Sequence, residues 1–273
     1  MSVYLKAGNV PDAWTQIMEY LLEQPHGKCF HLVTTIADPL TEMREITNVV
    51  DALATEAGTM STMENANAIW PYVLARPGME LDKIMSRMKE VAIPTIKLAN
   101  PKHSDSYLGR IVAWRSKEGS DKIPQLENVI IRMRSEIQNS GPKTSAYELA
   151  IFSPGVDAGY MGFPCLSHLS FKLDVELKRI HLSALYRNHH FVTHGYGNFL
   201  GLGRLMKFVA NQVGYHVGEL MSISTHADAE LALGKARIAK RVQEARKILE
   251  SINGSQAIPL GDAAENNFSV RAK

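Results

Sequence analysis

Cysteine supplies the most available nucleophile among side chains near neutral pH, and arginine the cation best shaped for a phosphate or carboxylate. One of each brackets a pair of expected strands in this 273-residue chain. Cys165 follows Pro164, and beyond it Ser167, Leu169, Phe171, Leu173 and Val175 alternate with His168, Ser170, Lys172 and Asp174. That period of two is a strand. A charged turn leads into a second strand, over 179–186, which ends at Arg187. If the two strands are antiparallel, the thiol at the start of one lies beside the guanidinium at the end of the other. A fixed cation lowers the pKa of a thiol, and Arg187 is suited to an anion such as a phosphate. Asn188, His189, His190, His194 and Asn198 follow within a short span.

The elements that must position these residues read as follows. Pro11 suits the first turn of a helix whose apolar stripe is Trp14, Ile17, Met18, Leu21 and Leu22, ended by Pro25-His26-Gly27. Residues 28–36 form a strand in which Cys29 is a core thiol. Thr41 caps a helix carrying Ile46, Val49, Val50 and Leu53. Helices are expected over 60–75 and 81–91, with Met60, Met63, Met85 and Met88 as core or interface filler, and a mobile polar loop over 94–107. An amphipathic helix holds Ile123, Leu126, Val129, Ile130, Met133 and Ile137 and stops at Asn139-Ser140-Gly141-Pro142. Strands are expected over 147–152 and 215–224.

From Asn198 a helix buries Leu202, Leu205, Met206 and Val209, and Asn198 is either its N-cap or a ligand-reading amide. Gly195, Gly197, Gly201 and Gly203 match neither a dinucleotide fingerprint nor a Walker loop, so they serve turning and close helix packing. Thr225 and Asp228 have the spacing of a capping box for a last, charged helix running to Ile252. His190 and His194 are four apart, but no glutamate stands where a zinc helix needs it, and no metal is expected. The chain reads as one domain, 1–253, with a mobile tail, 254–273.

A net charge of +2 gives no electrostatic case for nucleic-acid binding. Two cysteines, Cys29 and Cys165, make no disulfide framework, which fits a cytoplasmic protein. The first nine residues have no signal-peptide core, and no apolar run is long enough for a membrane span.

Over 122–230 the chain resembles thymidylate synthases. Pro164-Cys165 matches that family's nucleophile motif, Arg187 the arginine of its Arg-Ser-x-Asp motif, and Asn198 falls eleven residues beyond it, as the family's asparagine does. Gly218-Glu219-Leu220 to Glu230 resembles the family's next strand and turn. The resemblance implies an α/β (α+β) fold with a mainly antiparallel sheet flanked by helices, dimeric through that sheet. It implies methyl transfer to C5 of a uracil-type nucleotide, with methylenetetrahydrofolate or a related pterin as cofactor. Hydroxymethyl transfer is the nearest alternative, and a nucleotide-binding protein without turnover is another. A modified pterin carrier or an unphosphorylated substrate is also open.

By the same resemblance Cys165 is the nucleophile, Asp51 the catalytic helix acid and Tyr107 the tyrosine beside the base. Arg187, Asn188, Asn198, Asp228 and Glu230 bind the substrate, with Asp228 and Glu230 at the sugar hydroxyl, or His226 if the register slips. His190 stands at the aspartate that holds the folate. Ser145 and Ala146 stand where the family has two phosphate-binding arginines, which removes two positive charges.

Overall fold

The computed structural model describes residues 2–76, 78–99, 106–115, 122–139, 141–143, 145–154, 156–157 and 164–256. The chain opens with β1 (Val3–Asn9), a strand whose short alternation of Val3, Leu5 and Ala7 gives little signal in sequence. Asn9 caps α1 (Val10–Glu23) by accepting the Asp12 amide, and Trp14, Ile17, Met18 and Leu21 are wholly buried. β2 (Lys28–Asp38) and α2 (Arg44–Ala57) follow. Thr41 does not cap α2; its hydroxyl bonds Asp38 in the preceding turn. Ser61 and Glu64 form a reciprocal capping box at the start of α3 (Thr62–Ile69). Pro71 follows closely, so the helix expected as far as residue 75 gives way to a short 3₁₀ turn, Tyr72–Leu74.

α4 (Leu81–Arg87) continues through a wide π turn, Met88–Ala92, into α5 (Ile93–Ala99). Pro94 therefore lies in a helix, and residues 100–105 of the expected loop fall outside the described residues. α6 (Tyr107–Ala113) is capped by Ser106. A small ribbon of β3 (Trp114–Arg115) and β4 (Lys122–Ile123) takes Ile123 out of the next helix, α7 (Gln125–Asn139). Then come β5 (Glu148–Ala150), β6 (Leu166–Asp174), β7 (Arg179–Tyr186) and β8 (His189–His190). A second π turn, Phe191–Gly195, enters α8 (Tyr196–Val213). β9 (His216–Asp228) and α9 (Lys235–Gln256) complete the described chain; the expected tail beyond residue 256 lies outside it. β9 runs four residues further than expected, so Thr225 and Asp228 lie in a strand and cap no helix.

The main sheet has the order β1-β2-β9-β7-β6-β5, with β8 beside β9. Pairs β2–β9, β6–β7 and β5–β6 are antiparallel; β1–β2, β7–β9 and β8–β9 are parallel. This is the expected α+β class, a mixed sheet flanked by helices. One face is sealed: Leu32, Leu169, Phe171, Leu182, Tyr186 and Leu220 are at most 1% exposed. Across the other face run two half-exposed rows, His168–Leu185–Ile223–Val33 and Ser170–Ser183–Met221–Thr35, set side by side by the register.

α8 lies against α3 at glycine distance. A Cβ on Gly197 would stand 2.5 Å from that of Asn65, and one on Gly201 2.8 Å from the Ala66 carbonyl oxygen. Close helix packing thus explains these glycines, and it carries Asn65 to the π turn at the mouth of α8.

Candidate functional site

The site is built where β6 begins and β7 ends. Leu166 pairs with Tyr186, and one step further out the Arg187 amide donates to the Cys165 carbonyl at 2.9 Å. Arg187 Nε donates to the Pro164 carbonyl at 3.0 Å, which holds the guanidinium over the residue preceding the thiol. The juxtaposition expected from an antiparallel pair is therefore present.

The expected lowering of the thiol pKa is not. Burial raises Cys165 above the ordinary thiol value, and Arg187 offsets only part of that rise. Cys165 should therefore react slowly with iodoacetamide at neutral pH and faster as pH rises past the ordinary thiol range. Arg187→Ala should slow it further. Peptide mapping separates it from Cys29, also raised by burial; faster alkylation of Cys165 in Arg187→Ala would contradict this account.

Tyr107 comes to the same place from α6. Its hydroxyl accepts the Leu166 amide at 3.4 Å. Burial pushes its phenol far up, and the neighbouring Cys165 adds to that while Arg187 opposes it. One turn further along α6, Arg110 donates to the Ile151 carbonyl at 2.8 Å and grips Asp157 with two bonds, at 2.5 and 2.7 Å. Arg110 is 3% exposed and Asp157 7%. This buried pair ties the helix of Tyr107 to the chain ahead of Cys165.

Beyond Arg187 the chain bends. The Thr225 hydroxyl donates to the Arg187 carbonyl at 2.8 Å, and β8 then resumes pairing with β9. A polar chain starts at this bend. His226 Nδ1 lies 2.6 Å from Asn188 Oδ1, and Asn188 Nδ2 lies 2.8 Å from His190 Nε2. An amide offers one acceptor and one donor, so the two histidines take opposite roles towards Asn188, one giving a proton and the other accepting one. His190 Nδ1 stands 3.5 Å from Glu230 Oε1, without the alignment of a hydrogen bond. Glu230 accepts from the Thr193 amide and hydroxyl at 2.8 and 2.9 Å. Its carboxyl is nevertheless raised, by burial first and by Asp228 as well. Glu230 takes a left-handed backbone, φ 53°, which folds it back onto this chain.

The sequence-predicted residues are thus distributed unevenly. Cys165, Tyr107 and Arg187 converge. Asn188 is engaged at both ends of its amide by histidines. Asp228 accepts the Glu230 amide at 2.7 Å and pairs with Lys28 at 3.0 Å. Asp51 on α2 accepts the Thr62 amide at 2.7 Å, at the start of α3, and no hydrogen bond or ion pair joins it to Cys165, Arg187 or Asn198 among the described residues. Asn198 is not an N-cap: the π turn moves the helix start ahead of it, and it lies in the first turn of α8, 4% exposed.

Sequence reasoning passed over Tyr186 and Ser224, and gave His189 no role. Tyr186 is fully buried, with a hydroxyl that has no hydrogen-bond partner among the described residues. Its ring stacks on His189 at 3.9 Å and 8°. The alternation of β8 about Arg187 would have turned His189 inward, but a two-residue strand carries little periodic signal. The π turn that delivers His194 and Asn198 is pinned by side chains far away in sequence. Trp14 Nε1 donates to the Phe191 carbonyl at 2.9 Å, and Asn65 Nδ2 to that of Thr193 at 2.8 Å. Among the described residues no three His, Cys, Asp or Glu side chains converge as metal ligands, and no helix is long and apolar enough to cross a membrane.

No protein-family profile matches the chain. Several curated proteins do, each named "Putative thymidylate synthase". That of Methanosarcina barkeri is 30% identical over 143 residues, 52% of this chain and 60% of that protein. That of Methanococcoides burtonii is 28% identical over 143 residues, 51% and 60%. That of Methanosarcina mazei is 27% identical over 113 residues, 41% and 49%. The matches span about half to three-fifths of the length of these curated relatives. The chain is thus distantly similar to proteins that carry that name, and its α+β fold is consistent with a thymidylate synthase-like one.

Proposed function

We propose that this protein transfers a one-carbon unit, as methyl, to C5 of a uracil-type pyrimidine nucleotide, through a covalent adduct between Cys165 and C6. The observation that carries the reading is the meeting of Cys165 with Arg187 across β6 and β7, beneath the phenol of Tyr107. A thiolate adding to C6 moves electron density to C5 and O4, which makes C5 nucleophilic. Burial keeps the resting thiol protonated; Arg187 favours the thiolate and holds the substrate anion in the same place. The Tyr107 hydroxyl remains protonated and lies beside the base. Asp51 relays protons to the pyrimidine through water, and Asp228 and Glu230 accept from the sugar hydroxyl.

The fit of a pterin is supported at His190, whose Nδ1 is buried with no hydrogen-bond partner among the described residues. It stands 3.5 Å from Glu230 Oε1 without the alignment of a hydrogen bond, and a ligand acceptor would satisfy it. Methylenetetrahydrofolate or a related pterin supplies the one-carbon unit when bound. A homodimer is supported by the half-exposed rows of Leu185, Ile223 and Val33 on the open face of the sheet. The test of the reading is release of tritium from C5 of a uridine nucleotide.

Arg187 carries the anion in this reading without the two arginines that Ser145 and Ala146 replace. Arg187→Ala should weaken nucleotide binding by about 1.5–3 kcal/mol, the worth of a charge-assisted bond, and nucleoside binding much less. Calorimetry with uridine and its monophosphate checks this. Equal weakening of both would mean that Arg187 holds the strands and not the phosphate.

A further inference from the structure

Tyr186 closes β7 on the sealed face of the sheet, wholly buried, and its hydroxyl has no hydrogen-bond partner among the described residues. A phenol carries its proton at neutral pH, so no choice of tautomer satisfies it. An unbonded hydroxyl in the interior costs free energy that a phenylalanine of the same shape would not. The fold nevertheless holds this one in place. Its ring lies parallel to His189 at 3.9 Å and 8°, and its backbone pairs with Leu166 on one side and Ser224 on the other.

The surroundings show what the hydroxyl faces. Leu166, across the strand pair, directly follows Cys165, and the Leu166 amide bonds the Tyr107 hydroxyl. Tyr107 and Cys165 are also the groups whose charges act on the Tyr186 phenol, and together with burial, the larger cause, they hold its ionisation well above the ordinary value. Tyr186 is thus a donor beside the nucleophile and not a base. The chemistry read for the site creates the acceptor that it lacks. When the Cys165 thiolate adds to C6, the S–C6 bond forms and the π pair of C5=C6 moves to C5. Conjugation spreads that charge onto the oxygen of the C4 carbonyl. C6 and C4 lie in one six-membered ring, so a donor beside the thiol is within a ring's width of this oxygen. A preset donor in a site without water favours such growing charge strongly.

We propose that Tyr186 is a catalytic residue: its buried, unbonded hydroxyl donates a hydrogen bond to the pyrimidine carbonyl oxygen that gathers charge when Cys165 adds to C6. The phenol keeps its proton throughout. The inference rests on the covalent-adduct reading above and adds to it the donor for the charge that the adduct creates.

Tyr186→Phe tests this, because it keeps the ring and its stack on His189 and removes only the oxygen. Without ligand, its urea midpoint should equal or exceed that of the wild type, since an unbonded polar atom leaves the interior. Iodoacetamide should alkylate Cys165 at the wild-type rate, since the hydroxyl makes no bond to the thiol. Tritium release from C5 of the preferred uridine nucleotide, with pterin supplied, should fall by about 10²–10³-fold in kcat, as for loss of one oxyanion donor. KM should move far less, because the bond strengthens only as charge develops. A fall in kcat of less than about tenfold overturns the inference and leaves the proposed function standing. So does a raised KM with kcat unchanged, which marks an ordinary binding group. A lower urea midpoint, or a variant that does not fold, overturns it too, by showing that the hydroxyl is bonded within the protein. Altered alkylation of Cys165 overturns it by showing that the phenol acts on the thiol. A wild type that neither releases tritium nor forms an adduct overturns the inference and the proposed function together.

Discussion

Wild-type protein supplied with a pterin should release tritium from C5 of its preferred uridine nucleotide, and Cys165→Ala should release none. The reason is chemical. The C5 hydrogen of a uracil is inert until a nucleophile adds at C6, and Cys165 is the thiol that the β6–β7 pairing sets beside an arginine. Removing it leaves no group of comparable nucleophilicity, so the expected loss is complete within detection and not a matter of a few-fold. Cys165→Ser should be nearly as inactive, because an alkoxide is far less available than a thiolate near neutral pH. Both variants should fold and bind nucleotide, since the thiol is only half-buried and contributes little to the core. A fluorine at C5 should trap the adduct as a mass increase on the peptide containing Cys165. Absence of both release and adduct with every pyrimidine nucleotide would remove methyl and hydroxymethyl transfer together, and leave a binding protein. If release is seen, the mass of the product separates the two transfers.

The second large effect is on stability. Asp157→Ala should lower the free energy of unfolding by about 3–5 kcal/mol, because it leaves the Arg110 guanidinium buried without its countercharge. Burial by itself would raise the Asp157 carboxyl. The two bonds from Arg110, the Ser153 amide and the charges of Arg110 and Arg187 outweigh it and hold the group below the ordinary aspartate value. A depressed folded-state pKa adds stability that is present above the unfolded value and is lost as pH falls through the folded one. The difference between wild type and Asp157→Ala should therefore be full at neutral pH and shrink below about pH 4, where unfolded aspartates protonate. Urea unfolding across that range measures it. Replacing both partners with apolar residues, Arg110→Met with Asp157→Leu, should recover most of the loss, since neither charge is then stranded. A difference that does not change with pH would show that the carboxylate's charge is not what matters. The same lesion should also slow the chemistry, because α6 carries Tyr107 and the Asp157 segment leads towards Cys165.

The elements nearest the nucleophile were the most legible in sequence. A period of two over β6 and a charged turn before β7 specify an antiparallel hairpin locally, and a hairpin necessarily brings the start of one strand to the end of the next. Cys165 and Arg187 could therefore be paired from residues alone. The stripe of α1 and the interior of α7 were legible for the same reason: burial against one face imposes a helical period. What failed depends on partners distant along the chain. Whether Asn198 caps a helix or lies inside one is settled by a π turn, and that turn is held by Trp14 and Asn65 through contacts 177 and 128 residues long. Whether Arg187 makes the thiol acidic is settled by the balance between its charge and the partial burial of Cys165, and burial wins. Asp228 and Glu230 lie on a strand and a left-handed turn, not on a helix cap, because β9 keeps pairing with β2 as far as the Lys28–Asp228 rung. The surroundings of His189 belong to no local pattern at all. A serine on β9 and an asparagine on α8 reach one buried ring, and only the folded chain brings those three together.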